Sequence, residues 1–388
     1  MIIRHKHARN LLQLVSFSAL LAGFALSACV GSSEGRRGGP AAAYSGPVVT
    51  FDGVTTPRIA GRGVITKKGG LKMAWSGTAA TVHFKGTAVS VDMTDNGKNN
   101  YLVLIDGKPK REKITPDPGR STTELIRGLR RGEHTVTLYK LNEPLVGTSE
   151  LHAFILDDNG EALPPLEETR PRMEIIGDSI STGYGLEGEN EKCGFSPETE
   201  NHYLTYGARV ARHFKADLTT IAWSGKGVFS NRGSTSDLAT MSTLWTKSLP
   251  TEDVEYDFSG PAPEVVVINL GTNDFAPDVK DTSPFGAAYD KMLEDVRGKY
   301  PNSKIFVLLG PMMSDEYPEG KNALTKIRGL LTDIVKKRSA EGDENIRFLE
   351  FAAPTSDEGK GCDWHPSQKT HARTAATLVA AINQAGGF

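Results

Sequence analysis

Between Val48 and about Asp157 apolar and polar residues alternate in short segments: Thr81-Val82-His83-Phe84, Val89-Ser90-Val91-Asp92-Met93, Tyr101-Leu102-Val103-Leu104-Ile105 and His134-Thr135-Val136-Thr137-Leu138-Tyr139. A period of two is that of a strand with one buried face. Asp95-Asn96-Gly97, Asp106-Gly107 and Arg131-Gly132 punctuate these segments and supply the positive-φ residues that tight reversals need. The pattern predicts an antiparallel β-sandwich of jelly-roll type over residues 47–165.

The rhythm changes at Leu163-Pro164-Pro165 through Arg170-Pro171-Arg172, because proline restricts its own backbone and its predecessor's and rarely sits inside a central strand. From 171 to 388 apolar strands alternate with helical stretches. Strands are predicted at Met173 to Ile176, Leu218 to Ala222, Glu264 to Leu270, Lys304 to Leu309 and Ile346 to Phe351. Helices are predicted at about Tyr203 to Phe214, Gly286 to Lys299, Asn322 to Ser339 and Thr370 to Gln384. Strand and helix in alternation predict a parallel sheet covered on both faces, and Val265-Val266-Val267-Ile268 reads as a central strand buried on both sides.

The first 46 residues follow neither rhythm. Arg4, Lys6 and Arg9 precede an apolar run from Leu11 to Leu26, the pattern of a secretory signal peptide and too short a run for a comfortable membrane span. Its ending, Leu26-Ser27-Ala28-Cys29, resembles the bacterial lipobox, in which the cysteine becomes the lipidated first residue of the mature protein. Residues 1–29 are read as a lipoprotein signal peptide with Cys29 as the lipidation site, ordinary cleavage near Ala28 being the alternative. Residues 30–46, rich in Gly, Ser and Ala, are read as a flexible tether. The expected location is the bacterial cell envelope, on the outer membrane or facing the periplasm, with the membrane touched only through the lipid.

Composition changes this picture little. A hydrophobic share of 38% and a formal net charge of −2 suit globular domains with cores to bury and speak against a nucleic-acid partner. With Cys29 set aside, Cys193 and Cys362 are the remaining cysteines, and an even pair in an oxidising compartment predicts a disulfide, with two separate buried thiols as the alternative. His202, His213 and His371 show no ligand cluster, His134 and His152 fall in strand segments, and no metal or cofactor is expected.

In an open α/β sheet the ligand site lies at the carboxyl ends of the strands. Gly177-Asp178-Ser179-Ile180-Ser181 follows the first predicted parallel strand, Trp223-Ser224-Gly225-Lys226-Gly227 the second and Gly271-Thr272-Asn273-Asp274 the third, while Asp363-Trp364-His365-Pro366 lies near the C-terminus. Each string alone could be a turn or a helix cap. Together and in this order they resemble the SGNH, or GDSL, hydrolase superfamily, whose motif blocks supply Ser, Gly, Asn and His; Ser179, Gly225, Asn273 and His365 match position by position. The resemblance covers about Met173 to Phe388. It implies a flavodoxin-like three-layer fold and acyl transfer, with Ser179 as nucleophile and His365 as general base. The backbone N–H groups of Ser179 and Gly225 and the side-chain amide of Asn273 would form the oxyanion hole.

The superfamily usually places its aspartate three residues before the histidine, where this chain has Cys362. Asp363, two before, is the candidate orienter of the imidazole, and a backbone carbonyl is the alternative. A β-sandwich ahead of such a domain is similar to carbohydrate esterase family two, whose members remove acetyl groups from plant polysaccharides. That resemblance also rests on Gly183 to Gly188 and Glu200-Asn201-His202-Tyr203, and it implies an acetylated polysaccharide or oligosaccharide as substrate. Aromatic rings stack on sugars, so Trp364 and Trp223 are candidate substrate platforms, Trp223 equally a core residue; Tyr184 and Glu187 are weaker candidates, equally loop-structural. A Cys193–Cys362 disulfide would tie the loop after the nucleophile to the histidine loop. The rival readings are a lipase, a thioesterase, an envelope-glycan deacetylase, or an inactive surface protein that only binds carbohydrate. The sandwich could bind glycan or only wall the active cleft.

Overall fold

A computed structural model describes residues 45–233 and 239–388. The signal peptide, Cys29 and nearly all of the tether lie outside the described residues. The first half forms two antiparallel sheets face to face. One runs Val64–Ile65, Leu71–Met73, Ser149–Leu156, Val89–Asp95, Gly119–Ile126, with Val48–Val49 added beside Ser149–Leu156. The other runs Glu161–Leu163, Ala79–Gly86, Gly132–Lys140, Tyr101–Ile105, Lys108–Pro109, with Arg58–Ala60 added beside Ala79–Gly86. The alternation read from the chain is the packing. Val82, Phe84, Val91, Met93, Val136, Leu138, Leu151 and Phe154 point into one shared core. This is the jelly-roll sandwich.

The second half carries a five-stranded parallel sheet in the order Asp217–Ala222, Arg172–Gly177, Val265–Asn269, Lys304–Leu309, Ile346–Glu350. Period two now serves two cores, one on each face. Ile176, Ile221, Val266, Ile268, Ile305 and Val307 pack beneath the helices Phe285–Lys299 and Ala323–Ala340. Ile175, Val265, Val267, Phe306 and Leu308 pack beneath Tyr206–Phe214 and Gln368–Gln384. Residues of both parities are therefore apolar, as a sheet covered on both sides requires.

Two helix starts differ from the reading of the chain. The helix expected from Tyr203 begins at Tyr206, after a 3₁₀ turn over His202–Leu204, because Thr205 caps it by accepting from the Ala208 N–H. The last helix begins at Gln368 because Ser367 caps it through the Thr370 N–H. The short helix Met241–Leu244 and the small hairpin of Lys247–Leu249 with Val254–Glu255 were not foreseen; both are too short to carry a period.

The sandwich and the α/β half belong to one compact unit. Trp75 of the sandwich is fully buried in the α/β core and donates its indole N–H to the Lys247 carbonyl at 3.1 Å. Arg62 is buried as well: its guanidinium pairs with Glu174 at 3.0 Å and lies 3.9 Å from the centroid of the Tyr256 ring. His202 bridges the halves between Tyr139, at 2.6 Å, and Thr220, at 2.9 Å.

Candidate active site

Ser179 opens a one-turn helix, Ser179–Thr182, directly at the carboxyl end of the strand Arg172–Gly177. Asp178 caps it, its Oδ1 accepting from the Ile180 N–H at 3.0 Å, and Gly183 ends it at a φ of 85°. This sharp strand-to-helix turn leaves the hydroxyl at the end of the sheet. Asp178 is completely buried, and desolvation pushes its carboxyl up to about 7.

The His365 Nε2 lies 2.8 Å from the Ser179 Oγ although 186 residues separate the two. The other ring nitrogen, Nδ1, lies 3.1 Å from the carbonyl oxygens of both Cys362 and Asp363. A carbonyl can only accept, so the proton resides on Nδ1 and Nε2 is left with a free lone pair facing the hydroxyl. Burial pushes the imidazole down to about 4, so the ring is neutral and basic in form at neutral pH.

The carboxylate expected to orient the ring does not do so. Asp363 turns its backbone carbonyl to Nδ1, while its Oδ2 accepts from the Tyr184 hydroxyl at 2.5 Å. The reason is local: Asp363 and Trp364 both adopt left-handed backbone, at φ 50° and 62°, so the segment is not extended and the spacing of two does not bring the side chain alongside the ring. Non-glycine residues in that region cost on the order of 1–2 kcal/mol each, strain that the surrounding contacts must hold.

Those contacts are dense. Cys193 and Cys362 form a disulfide with Cα atoms 4.6 Å apart. Asp363 N–H donates to the Cys193 carbonyl at 2.9 Å and Cys362 N–H to the Gly185 carbonyl at 3.0 Å. A Cβ on Gly185 would lie 2.6 Å from that of Cys362, so glycine is what allows the two loops to meet. Tyr184 completes the buttress, its ring stacked on His365 at 4.1 Å between centroids.

The remaining motif residues meet at the adjacent strand ends. Gly225 has a φ of 79° and lies just beyond the strand Asp217–Ala222. The Asn273 Nδ2 donates to the Lys226 carbonyl at 2.8 Å and lies 3.5 Å from the Asp178 Oδ2, which links the glycine block to the nucleophile block. Asp274 is buried, and its carboxylate accepts the N–H groups of Val228, Phe229 and Ser230 at 2.8–3.0 Å. Burial pushes that carboxyl up.

Two candidate substrate residues are otherwise engaged. Trp223 is a core residue, 7% exposed and packed with Ile221, Val228 and Met241 in the larger α/β core, because it follows the edge strand Asp217–Ala222 and is covered by the chain that comes after it. Glu187 forms an ion pair with Lys113 of the sandwich and so ties loop to domain. Trp364, by contrast, is 57% exposed immediately before His365, and Tyr184 is half-buried against it.

Reading the chain alone missed Glu143, and it gave Glu200, quoted in the string Glu200-Asn201-His202-Tyr203, no role of its own. Both are fully buried; Glu143 comes from the sandwich and receives the Ser224 N–H at 2.6 Å. No period or string marks Glu143. Asp274 was readable as part of Gly271 to Asp274, since an acid beside the asparagine can fold back onto the glycine block.

Residues 59–165 match the family model described as Carbohydrate esterase 2 N-terminal, and 175–373 that of the GDSL-like Lipase/Acylhydrolase family. The chain is 35% identical over 328 residues to Cellulase/esterase CelE of Acetivibrio thermocellus, an alignment covering 84% of this chain and 39% of CelE. It is 24% identical over 329 residues to an Acetylxylan esterase / glucomannan deacetylase of Cellvibrio japonicus, covering 81% of this chain and 86% of that protein. Among solved structures, a family two carbohydrate esterase from Clostridium thermocellum in complex with cellohexaose superposes with a TM-score of 0.79 at 35% identity, covering 85% of this chain and 99% of that one.

Proposed function

Because the chain belongs to carbohydrate esterase family two and carries its two parts in order, we propose that it is a serine esterase that removes O-acetyl groups from a xylan- or glucomannan-type polysaccharide. One observation carries the reading: a buried hydroxyl and a neutral imidazole 2.8 Å apart, with the far nitrogen of the ring committed to two carbonyls.

The Ser179 Oγ attacks the acetyl carbonyl carbon while its proton passes to the His365 Nε2. Negative charge gathers on the former carbonyl oxygen, where the N–H groups of Ser179 and Gly225 and the Asn273 amide act as preorganised donors. The intermediate collapses, the sugar oxygen leaves with the proton from His365, and the acetyl group stays on Ser179. A water, deprotonated by His365, then releases acetate. Two carbonyl dipoles take the place of the usual carboxylate in holding the imidazole and stabilising its charged form.

The exposed face of Trp364 beside the base supports a sugar substrate, since aromatic rings stack on the apolar faces of pyranose rings. The relatives' names support acetylated xylan and glucomannan. The string Leu26-Ser27-Ala28-Cys29 supports export and a lipid anchor on Cys29 as part of the same proposal. Acetate release from acetylated xylan, acetylated glucomannan and bacterial glycans, with Ser179→Ala as the blank, tests the reading. Release from the plant polysaccharides by wild type alone is the expected result; preference for octanoyl over acetyl p-nitrophenyl esters would instead place the enzyme among the lipases.

A further inference from the structure

Gly225 has no side chain; its carbonyl accepts the Arg232 N–H at 2.8 Å, and the direction of its N–H depends also on what grips its neighbours. On the C-terminal side the grip comes from within the α/β half, through Asn273 on the Lys226 carbonyl and Asp274 on three successive N–H groups. On the N-terminal side it comes from the sandwich. The Glu143 Oε2 accepts the Ser224 N–H at 2.6 Å, and its Oε1 lies 2.5 Å from the Ser224 Oγ. One carboxyl thus fixes both the backbone and the side chain of the residue whose peptide carries the Gly225 N–H.

The gripping loop is itself immobilised. Asn142 donates from Nδ2 to the Glu200 Oε2 and the Pro197 carbonyl, each at 2.9 Å. The Lys140 ammonium donates to the Asn142 carbonyl at 2.7 Å and to the Asn99 Oδ1 at 2.8 Å. Lys140, Asn142, Glu143 and Glu200 are all fully buried. Glu200 belongs to the segment after the nucleophile's helix, where Asn201 N–H meets the Gly183 carbonyl at 3.1 Å. Burying this many polar and ionisable groups is costly unless their geometry is exact, and here it converges on a single peptide next to the reacting centre.

We propose that Glu143 is a positioning residue of the hydrolysis: by holding the Ser224 N–H and hydroxyl it fixes the Gly225 amide, and the β-sandwich thereby supplies part of the oxyanion-stabilising machinery. The inference rests on the reading that Ser179 is the nucleophile. A misaligned donor weakens binding of the transition state and leaves ground-state binding intact, so the effect belongs in kcat and not in KM.

The test is steady-state hydrolysis of p-nitrophenyl acetate by wild type, Ser179→Ala, Glu143→Ala, Glu143→Gln, Glu143→Asp, Ser224→Ala and the Glu143→Ala/Ser224→Ala double variant. Glu143→Ala is expected to lower kcat roughly 10- to 100-fold with KM within about threefold of wild type. Glu143→Gln, which keeps an acceptor for the N–H and the shape of the acid, is expected to recover most of that loss. Ser224→Ala should add nothing in the Glu143→Ala background, because Glu143→Ala already deletes the partner of both the Ser224 N–H and its hydroxyl. A kcat within about twofold of wild type for Glu143→Ala, a parallel rise in KM, or no rescue by Glu143→Gln overturns the inference. Should Glu143→Ala not melt cooperatively, Glu143→Asp, which withdraws the carboxyl from both the N–H and the hydroxyl of Ser224, decides alone: a kcat loss of roughly threefold or more at unchanged KM supports the inference, and wild-type kcat overturns it. Wild type without Ser179-dependent hydrolysis would remove the functional reading and this inference together. Hydrolysis lost in Ser179→Ala and untouched in Glu143→Ala removes only the inference.

Discussion

Replacing Asp363 separates a dyad from a triad. Where a buried carboxylate holds the base, its loss costs about 10⁴-fold in turnover. Here the ring's Nδ1 is met by the carbonyls of Cys362 and Asp363 at 3.1 Å, which a side-chain substitution does not delete. What the Asp363 carboxylate does hold is the hydroxyl of Tyr184, whose ring lies against His365. A hydrogen bond to a charged group contributes about 1.5–3 kcal/mol, and the exposure of Asp363 reduces this to about 1 kcal/mol, or roughly fivefold in kcat/KM. Backbone strain separates two variants: at a φ of 50° asparagine is nearly as tolerant as aspartate, whereas alanine is not. Asp363→Asn is therefore expected to lose roughly threefold and Asp363→Ala roughly tenfold, against roughly 10³-fold or more for His365→Ala. The assay is kcat/KM on p-nitrophenyl acetate, with melting curves to check folding. A loss for Asp363→Asn as large as that for His365→Ala would refute the reasoning and restore the carboxylate to the ring.

Three further outcomes follow from the same geometry. His365 must be neutral to accept the proton, and burial depresses it to about 4, so activity should persist below the ordinary histidine value of 6.5 and fall only as pH drops through about 4; a kcat/KM profile with its acid limb at 6.5 or above contradicts this. Cys193→Ser, which opens a loop of 169 residues and frees the histidine loop from the loop after the nucleophile, should cost about 2–4 kcal/mol of stability and lower kcat; unchanged melting temperature and turnover contradict it. Arg62→Ala, by stranding the buried Glu174, should cost about 3–5 kcal/mol in denaturant titration; a change under about 1 kcal/mol means the pair does not hold the halves together.

Much of this molecule is legible along the chain because burial imposes a period. Alternation from Thr81 to Phe84 and the unbroken run Val265 to Ile268 report how many faces of each strand are covered, and the covered faces are where they were expected. Strand ends in a parallel sheet then locate Gly177 to Ser181 and Gly271 to Asp274. What is not legible depends on backbone direction or on the meeting of distant segments. The left-handed Asp363 and Trp364 decide which group of residue 363 reaches the imidazole, and nothing in Asp363-Trp364-His365-Pro366 announces that conformation. Trp223 ends a strand at the rim between core and site, and only packing decides its side. Lys113 and Glu187, or Glu143 and Ser224, are partners from two halves of the chain, and no local pattern pairs them.

The most direct test of the account is where the acetyl group goes. Acid quenching during turnover of an acetyl ester, followed by mass spectrometry of the peptides, should find one acetyl group on the fragment that contains Ser179, and Ser179→Ala should release no acetate above the uncatalysed rate. Acetyl carried by a different side chain, or undiminished turnover in Ser179→Ala, would contradict the claim that this hydroxyl and the imidazole of His365 do the chemistry.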